Sequence, residues 1–282
     1  GVDEVAPRMS FFFAAHSNLF EEVAKFRAAR RMWASLVRER FQPADPRSEM
    51  VRFHTQTGGV TLTAQQPLNH VVRVAYQALA AVLGGTQSLH TNGFDEALSL
   101  PTEQEATLAL RTQQVLAEET GVADTADPLA GSWFVERLTD EVEAKAREWL
   151  ARVEERGGAV SAIEQGFVQN AIADNAYARE LGRERGDEVV VGVNRYQDEA
   201  DPGVPLQRID LEATARQIDL VRAWKSRQDA ARTGPALSAV GGAARGDGNL
   251  LPVMRSALLA GATLGQICDV LRAEFGEQRG AM

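Results

Sequence analysis

Two short runs of like construction constrain this chain most, Phe53-His54-Thr55-Gln56-Thr57-Gly58-Gly59 and, further on, Thr86-Gln87-Ser88-Leu89-His90-Thr91-Asn92. Each is a β-like run that ends in small and polar residues just ahead of a helical pattern. Strand–helix units in tandem build parallel sheets, because a parallel pair needs a long crossover connection. In a (β/α)8 barrel the C-terminal ends of the strands carry the ligand-binding groups. The pattern therefore predicts an α/β fold with functional side chains at two consecutive strand ends.

The flanking sequence extends the pattern. Met9–Ala15 is a compact apolar run that reads as a buried strand, and Asn18 caps a helix in which Leu19, Val23, Phe26, Ala29, Met32, Trp33, Leu36 and Val37 recur at helical spacing. Lys25, Arg27, Arg30, Arg31, Arg38 and Arg40 give that helix a basic face, read as solvated. A strand over Met50–His54, a helix over Pro67–Leu83 closed by Gly84-Gly85, a strand over Thr86–His90 and a helix over Thr102–Glu119 follow, the last with Thr102 and Glu105 as a capping box. Alternation then stops. Trp133–Arg156, Val160–Glu164 and Ala171–Glu184 read as helices, Glu188–Val193 as a short strand, Ala200–Pro205 as a linker, Leu211–Arg232 as a helix, Gly241–Gly248 as a flexible loop and Leu250–Phe275 as a helical region interrupted near Gly261. The expected organisation is the C-terminal part of a TIM barrel, about three β/α units, over residues 1–120, a helical extension with a short strand over 121–199, and a linker with C-terminal helices over 200–282. Three parallel strands leave open edges and an uncovered face, so a missing half of the barrel is expected upstream or on another chain. The start at Gly1, without an initiator Met, reads as a cut through a larger protein.

Charge and cysteine content narrow the partners. A net charge of −9 lacks the basic excess that nucleic acids or anionic membranes attract, though a local arginine cluster is compatible with an anionic small ligand. No apolar run is long enough to span a membrane, and Phe11-Phe12-Phe13 is too short for a signal peptide. The lone cysteine, Cys268, leaves no internal disulfide, reads as a small buried hydrophobe and suits a reducing cytoplasm.

Several residues are candidates for chemistry, each with an alternative reading. Gly58 and Gly59 allow backbone to approach a ligand or simply make a tight turn. Gln56 and Gln87 are read as ending their strands alike, and a neutral amide suits a carbonyl- or amide-bearing ligand. His54 and His90 are either satisfied core histidines or site residues, and they lack metal-ligand spacing, so no metal site is expected. Asn92 and Glu96 stand four apart at an expected helix entrance, as cap and dipole partner or as joint ligand contacts. Arg8 and Arg47 precede the first two strands and would hold the far end of a ligand that threads the barrel; for Arg47 an ion pair with Asp45 is the other reading. No P-loop, dinucleotide fingerprint or serine or cysteine triad is present in the sequence.

Taken together, these stretches resemble the large (catalytic) subunits of the methylmalonyl-CoA mutase family, adenosylcobalamin-dependent acyl-CoA mutases. The resemblance runs through Ser10-Phe11-Phe12-Phe13, Glu22 to Trp33, Arg52 to Gly59, Leu62 to Pro67, Gly84 to Asn92, Asp95-Glu96-Ala97, Leu110 to Gln114, Asp127-Pro128, Gly131-Ser132 and Val191 to Asn194, and weakens after Tyr196. It implies a barrel threaded by the pantetheine of coenzyme A, with cobalamin at the C-terminal face of the strands. Carried over to matching positions, Arg8, Ser10, Arg47, Gln87 and Ser88 face the acyl-CoA, and His54, Gln56, Gly59, Asn92 and Glu96 line the corrin and adenosyl side. Glu96 would hold the adenosyl ribose and Gln56 the adenosyl or corrin edge. The implied reaction is a radical 1,2 carbon-skeleton rearrangement of a methylmalonyl-CoA, isobutyryl-CoA or 2-hydroxyisobutyryl-CoA type of substrate. The family's Tyr-His pair would precede Gly1, so no catalytic residue is expected within the chain, and the cobalamin-binding domain or small subunit would follow Met282. The chain alone is expected to be incomplete and inactive. Two other readings stand: a noncatalytic assembly subunit of such a mutase, and a cobalamin-independent barrel that binds a CoA ester.

Overall fold

A run of apolar residues followed by a capped amphipathic helix sets the first repeat. In the computed structural model, which describes residues 1–198 and 203–277, a short α1 (Val2–Val5) leads to β1 (Phe11–Ala15) and then α2 (Leu19–Phe41), where the Asn18 side chain accepts the Glu21 N–H as N-cap. The pattern repeats as β2 (Phe53–Thr57), α3 (Asn69–Leu83), β3 (Ser88–His90) and α4 (Glu103–Glu119), the last opened by the Thr102–Glu105 capping box. Thereafter the chain is helical: α5 (Trp133–Glu154), α6 (Ala159–Glu164) and α7 (Phe167–Arg185). The described residues divide into two compact units, Gly1–Gln207 and Arg208 onward.

In the first unit the strands form one parallel sheet in the order β1-β2-β3, with Phe11 opposite Phe53 and Gln56 opposite His90. Alternation along the strands separates two faces. Phe53, Thr55 and Thr57 turn to the helices and are buried; Phe53 stacks on Phe26 of α2 at 5.2 Å, within a core that includes Ala15, Val51 and Ala81. Phe12, His54, Gln56, Ser88 and His90 occupy the other face, where Phe12 is 65% exposed. The fold is thus α/β with a small parallel sheet covered by helices on one face.

The basic face of α2 is only partly solvated: Arg31, Arg38 and Arg40 stay about half exposed or more, but Arg27 is largely buried and several of these arginines pair with acids of α5. Arg27 reaches Asp127, Thr139 and Glu136; Arg31 reaches Asp140 and Glu143; Arg40 reaches Glu154. Glu136, Asp140 and Glu143 share one stripe of α5 by helical spacing and match the arginine stripe of α2. Local periodicity shows the arginines but not a partner helix so distant in sequence.

Other elements also differ from their predictions. β2 starts at Phe53 rather than Met50, since Pro46–Glu49 forms a 3-10 turn that leaves Met50 exposed. Glu188–Val193 is not a strand: Asn194 accepts the Val190 N–H and donates to the Glu188 and Arg183 carbonyls, closing a turn with a single Val191–Arg195 bridge. Of the linker at 200–205, residues 200–202 lie outside the described residues, and 203–205 are in neither helix nor strand.

In the second unit, α8 (Leu211–Ser226) buries no residue and donates from Trp224 Nε1 to the Gly261 carbonyl at 2.9 Å, while α9 (Ala230–Ala244), α10 (Leu250–Leu259) and α11 (Leu264–Phe275) pack around Val240, Ala257, Ala262 and Ile267. The helix expected over Leu211–Arg232 breaks where Asp229 caps α9. Gly241 and Gly242 belong to α9 rather than a loop; a side chain at Gly241 would meet Val270 and Glu274 of α11 at 3.4 and 3.3 Å, so the glycine serves close helix packing. Cys268 is half-buried in α11.

Candidate functional site

The C-terminal end of β2 positions a compact polar group. Gln56 lies on the open face of the sheet and donates through Nε2 to Asn92 Oδ1 at 2.9 Å. Asn92, 2% exposed, donates through Nδ2 to the Thr57 carbonyl at 2.9 Å, and its backbone N–H donates to Thr57 Oγ1 at 3.0 Å. Asn92 is therefore a strut between the ends of β2 and β3 that also fixes the Gln56 amide. The helix expected at this point does not form, because the amide that would cap it is committed to β2; residues 92–102 run through turns until α4 begins at Glu103.

Gly59 closes the group. A Cβ there would stand 3.3 Å from Asn92 Nδ2 and 3.6 Å from Glu96 Oε1, so the missing side chain leaves a cradle faced by an amide and a carboxylate. Gln56, Gly59, Asn92 and Glu96 are thus brought together, with Glu96 exposed. His54 lies one layer deeper on the same face, its Nδ1 2.7 Å from Ser88 Oγ and its ring 5.0 Å from that of Phe12.

The remaining sequence candidates lie at the opposite end of the strands. Arg8 and Ser10 are exposed just before β1. Arg47 is exposed and forks onto Asp45, with Nη2–Oδ2 at 2.7 Å; the pair raises the arginine and lowers the carboxyl from their ordinary values through that hydrogen bonding. Gln87 does not end a strand as Gln56 does. It stands before β3, where its Oε1 accepts the Phe53 N–H and its Nε2 donates to the Gly85 carbonyl, both at 2.8 Å. The register partner of Gln56 is His90. β3 is short, and the sequence alone places its start two residues too early, at Thr86 rather than Ser88, to show this.

Three residues that sequence reasoning passed over belong to the neighbourhood. His16 follows β1 and lies so close to Gly58 that a Cβ there would be 2.6 Å from the ring; burial lowers the imidazole from its ordinary value. The signal was available, since His16 follows its strand just as Gly58 follows β2. Asp95 and Glu105 form a buried carboxyl pair beneath Asn92 and Glu96, with Asp95 pushed up to about 6 by burial and then by its hydrogen bond with Glu105. Acidic residues in a turn and a helix cap read as solvated, so this pairing had no sequence signal. Among the described residues no group of three His, Cys, Asp or Glu side chains is placed to hold a metal ion.

Chemically, this end offers neutral amides, one open carboxylate and a backbone cradle. That donor set suits hydroxyl- and amide-bearing ligands rather than a bare metal or a phosphate. Comparison with known proteins agrees with the sequence resemblance. The family model described as Methylmalonyl-CoA mutase matches residues 1–277. The chain is 47% identical over 280 residues to the 2-hydroxyisobutanoyl-CoA mutase large subunit of Aquincola tertiaricarbonis, covering 99% of this chain and 50% of that protein. It is 44% identical over 280 residues to mitochondrial methylmalonyl-CoA mutase of Homo sapiens, covering 99% of this chain and 37% of the relative. It is likewise 44% identical over 278 residues to methylmalonyl-CoA mutase of Rhizobium meliloti (strain 1021), covering 98% and 39%. The chain spans half or less of the length of each of these relatives. With the family model matched over residues 1–277 and these relatives similar over nearly the whole chain, the chain belongs to the methylmalonyl-CoA mutase family.

Proposed function

We propose that this chain is the C-terminal part of a TIM barrel and the following helical region of an adenosylcobalamin-dependent acyl-CoA mutase, taking methylmalonyl-CoA, isobutyryl-CoA or 2-hydroxyisobutyryl-CoA type substrates. One observation carries the reading: Gln56, Gly59, Asn92 and Glu96 converge at one end of an open sheet face, while Arg8, Ser10 and Gln87 lie at the other end. Five residues of strand span about 16 Å, a separation suited to a long, thin ligand lying along the face.

The residues fit the cofactor at the C-terminal end. Gly59 leaves space a Cβ would fill, and Gln56 and Asn92 present amides beside the Glu96 carboxylate. Ribose hydroxyls would donate to Glu96, and the Gln56 amide would meet the corrin or adenosyl edge. When bound, adenosylcobalamin supplies the carbon radical that abstracts hydrogen from substrate. This chain's residues bind, orient and exclude water. Phe12 supplies apolar wall, and Ser88, fixed by His54, offers a hydroxyl to the thioester end.

The partners in this reading are an acyl-CoA, the N-terminal half of the barrel, and a cobalamin-binding domain or small subunit. The outer edges of β1 and β3 and the uncovered Phe12 face support the second of these. Among the described residues no helix is long and apolar enough to cross a membrane, and one half-buried cysteine suits a reducing cytoplasm. The test is reconstitution of the complete protein with its cobalamin-binding partner. Glu96→Ala is expected to weaken adenosylcobalamin binding about tenfold, the worth of one charge-assisted hydrogen bond, with acyl-CoA binding unchanged. Unaltered cobalamin affinity in that variant would remove Glu96 from the site.

A further inference from the structure

The turns between β3 and α4 carry Asn92 and Glu96, and they rest on a group the site does not use. Asp95 is completely buried and Glu105, in the first turn of α4, is 2% exposed. The two flank Gly93, where a Cβ would lie 2.8 Å from Asp95 Oδ1 and 3.7 Å from Glu105 Cβ, so the buried acids are close neighbours. Glu105 also accepts the Thr102 N–H at 2.7 Å and sits at the positive end of α4, which favours charge on it. Ser99 donates to Asp95 Oδ2 at 3.3 Å, whereas Asp95 Oδ1 has no donor among the described residues. Gly93 keeps the pair close, since a Cβ there would lie 2.8 Å from Oδ1.

Among the described residues no cation is paired with the two acids. Around Glu105, α3 contributes Val71 and Val74, α4 contributes Leu108, Ala109 and Thr112, and the turns contribute Asn92 and Phe94. The titratable groups of α3 are His70, whose imidazole burial lowers from its ordinary value, and Arg73; they are bonded to each other and to the Thr63 and Val191 backbone. Arg111 of α4 bonds Gln114, and Glu96 and Glu103 are exposed. Two buried carboxyl groups in such contact do not both ionise without strong mutual repulsion, and one shared proton removes it.

We propose that Asp95 and Glu105 form a proton-operated latch that positions Asn92 and Glu96: with one proton shared, the turns are held against α4, and loss of that proton to solvent loosens them. The proton resides on Asp95, whose value is pushed up to about 6. Burial alone would raise Glu105 too, but the hydrogen bonds from Asp95 and Thr102 outweigh it and hold Glu105 below its ordinary value. The functional half of the inference rests on the reading of Asn92 and Glu96 as cofactor-side residues.

The test uses the complete protein with its cobalamin-binding partner and follows amide hydrogen exchange of residues 93–101, corrected for intrinsic rate, from about pH 5 to about pH 8. Protection in the wild type is expected to fall about tenfold as pH rises past 6. Asp95→Asn, whose amide donates to Glu105 at every pH, keeps protection level across the range. Glu105→Gln does the same by a different route, since its amide gives Asp95 a donor and retains the Thr102 contact. Adenosylcobalamin affinity, read by its visible absorption, weakens with rising pH in the wild type and not in Asp95→Asn. Wild-type protection that is indifferent to pH, or an unchanged pH response in Asp95→Asn, overturns the latch. Exchange that follows the latch while cobalamin affinity does not sustains the latch and refutes the assignment of Asn92 and Glu96 to the cofactor.

Discussion

Asn92 does the most at the residue scale, because one amide satisfies two strand ends and orients a third group. Asn92→Ala would leave the buried Thr57 carbonyl without its donor and free Gln56, while keeping the backbone bond to Thr57 Oγ1. The expected cost is about 2 kcal/mol in urea unfolding of the complete protein, within the range for an unsatisfied buried acceptor. Gly59→Ala should cost far less stability, since the new methyl meets Asn92 at 3.3 Å on a backbone that needs no left-handed angle, yet it should lower cobalamin affinity by filling the cradle. Asp95 has a definite sign with pH. Its folded value near 6 exceeds 3.8, so it costs no stability below 3.8, costs increasingly between the two, and imposes its full penalty above 6. That penalty is roughly 3 kcal/mol, and unfolding midpoints of wild type and Asp95→Asn should diverge across this window. Gln56 and Asn92 were legible in sequence because both close a β-like run. The Asp95–Glu105 contact was not, because it depends on turns folding back onto a helix start.

At the scale of elements, the α2–α5 pairing shows how a basic stripe acquires its meaning. The Arg27 side chain is only 11% exposed and holds Asp127, Glu136 and Thr139 at once. Arg27→Met removes the charge, keeps the stem, and leaves two carboxylates facing each other; a loss of about 3 kcal/mol is expected. Exposed pairs such as Arg40–Glu154 should contribute under about 1 kcal/mol each, so Arg40→Met is the matched control in the same unfolding measurement. The helices themselves were legible from periodicity and caps: Asn18 and the Thr102–Glu105 box stand where sequence placed them. The misread elements share another cause. At Glu188–Val193 a strand-like composition yielded to Asn194, which satisfies the local backbone from its own side chain. Of Gly241-Gly242, two glycines that suggest a loop, Gly241 is a helix-contact residue, a distinction only the partner helix α11 can make.

For the molecule as a whole, a three-stranded sheet with one covered face is the central fact. Repetition of strand and helix made its parallel order legible, whereas the register that sets His90 opposite Gln56 emerged only from the paired strands. Produced by itself, the chain should bind a hydrophobic dye such as ANS through the face bearing Phe12, and co-production with the N-terminal half proposed above should abolish that signal. Phe12→Ser should reduce the dye signal of the isolated chain, which ties the effect to this face. Phe12 also bears on timing. An aromatic ring that stays wet while its own domain is already folded makes docking a separate and later event than folding. Where the half proposed above is supplied as a second polypeptide, the loss of this wet surface should quicken as the concentration of the two pieces rises.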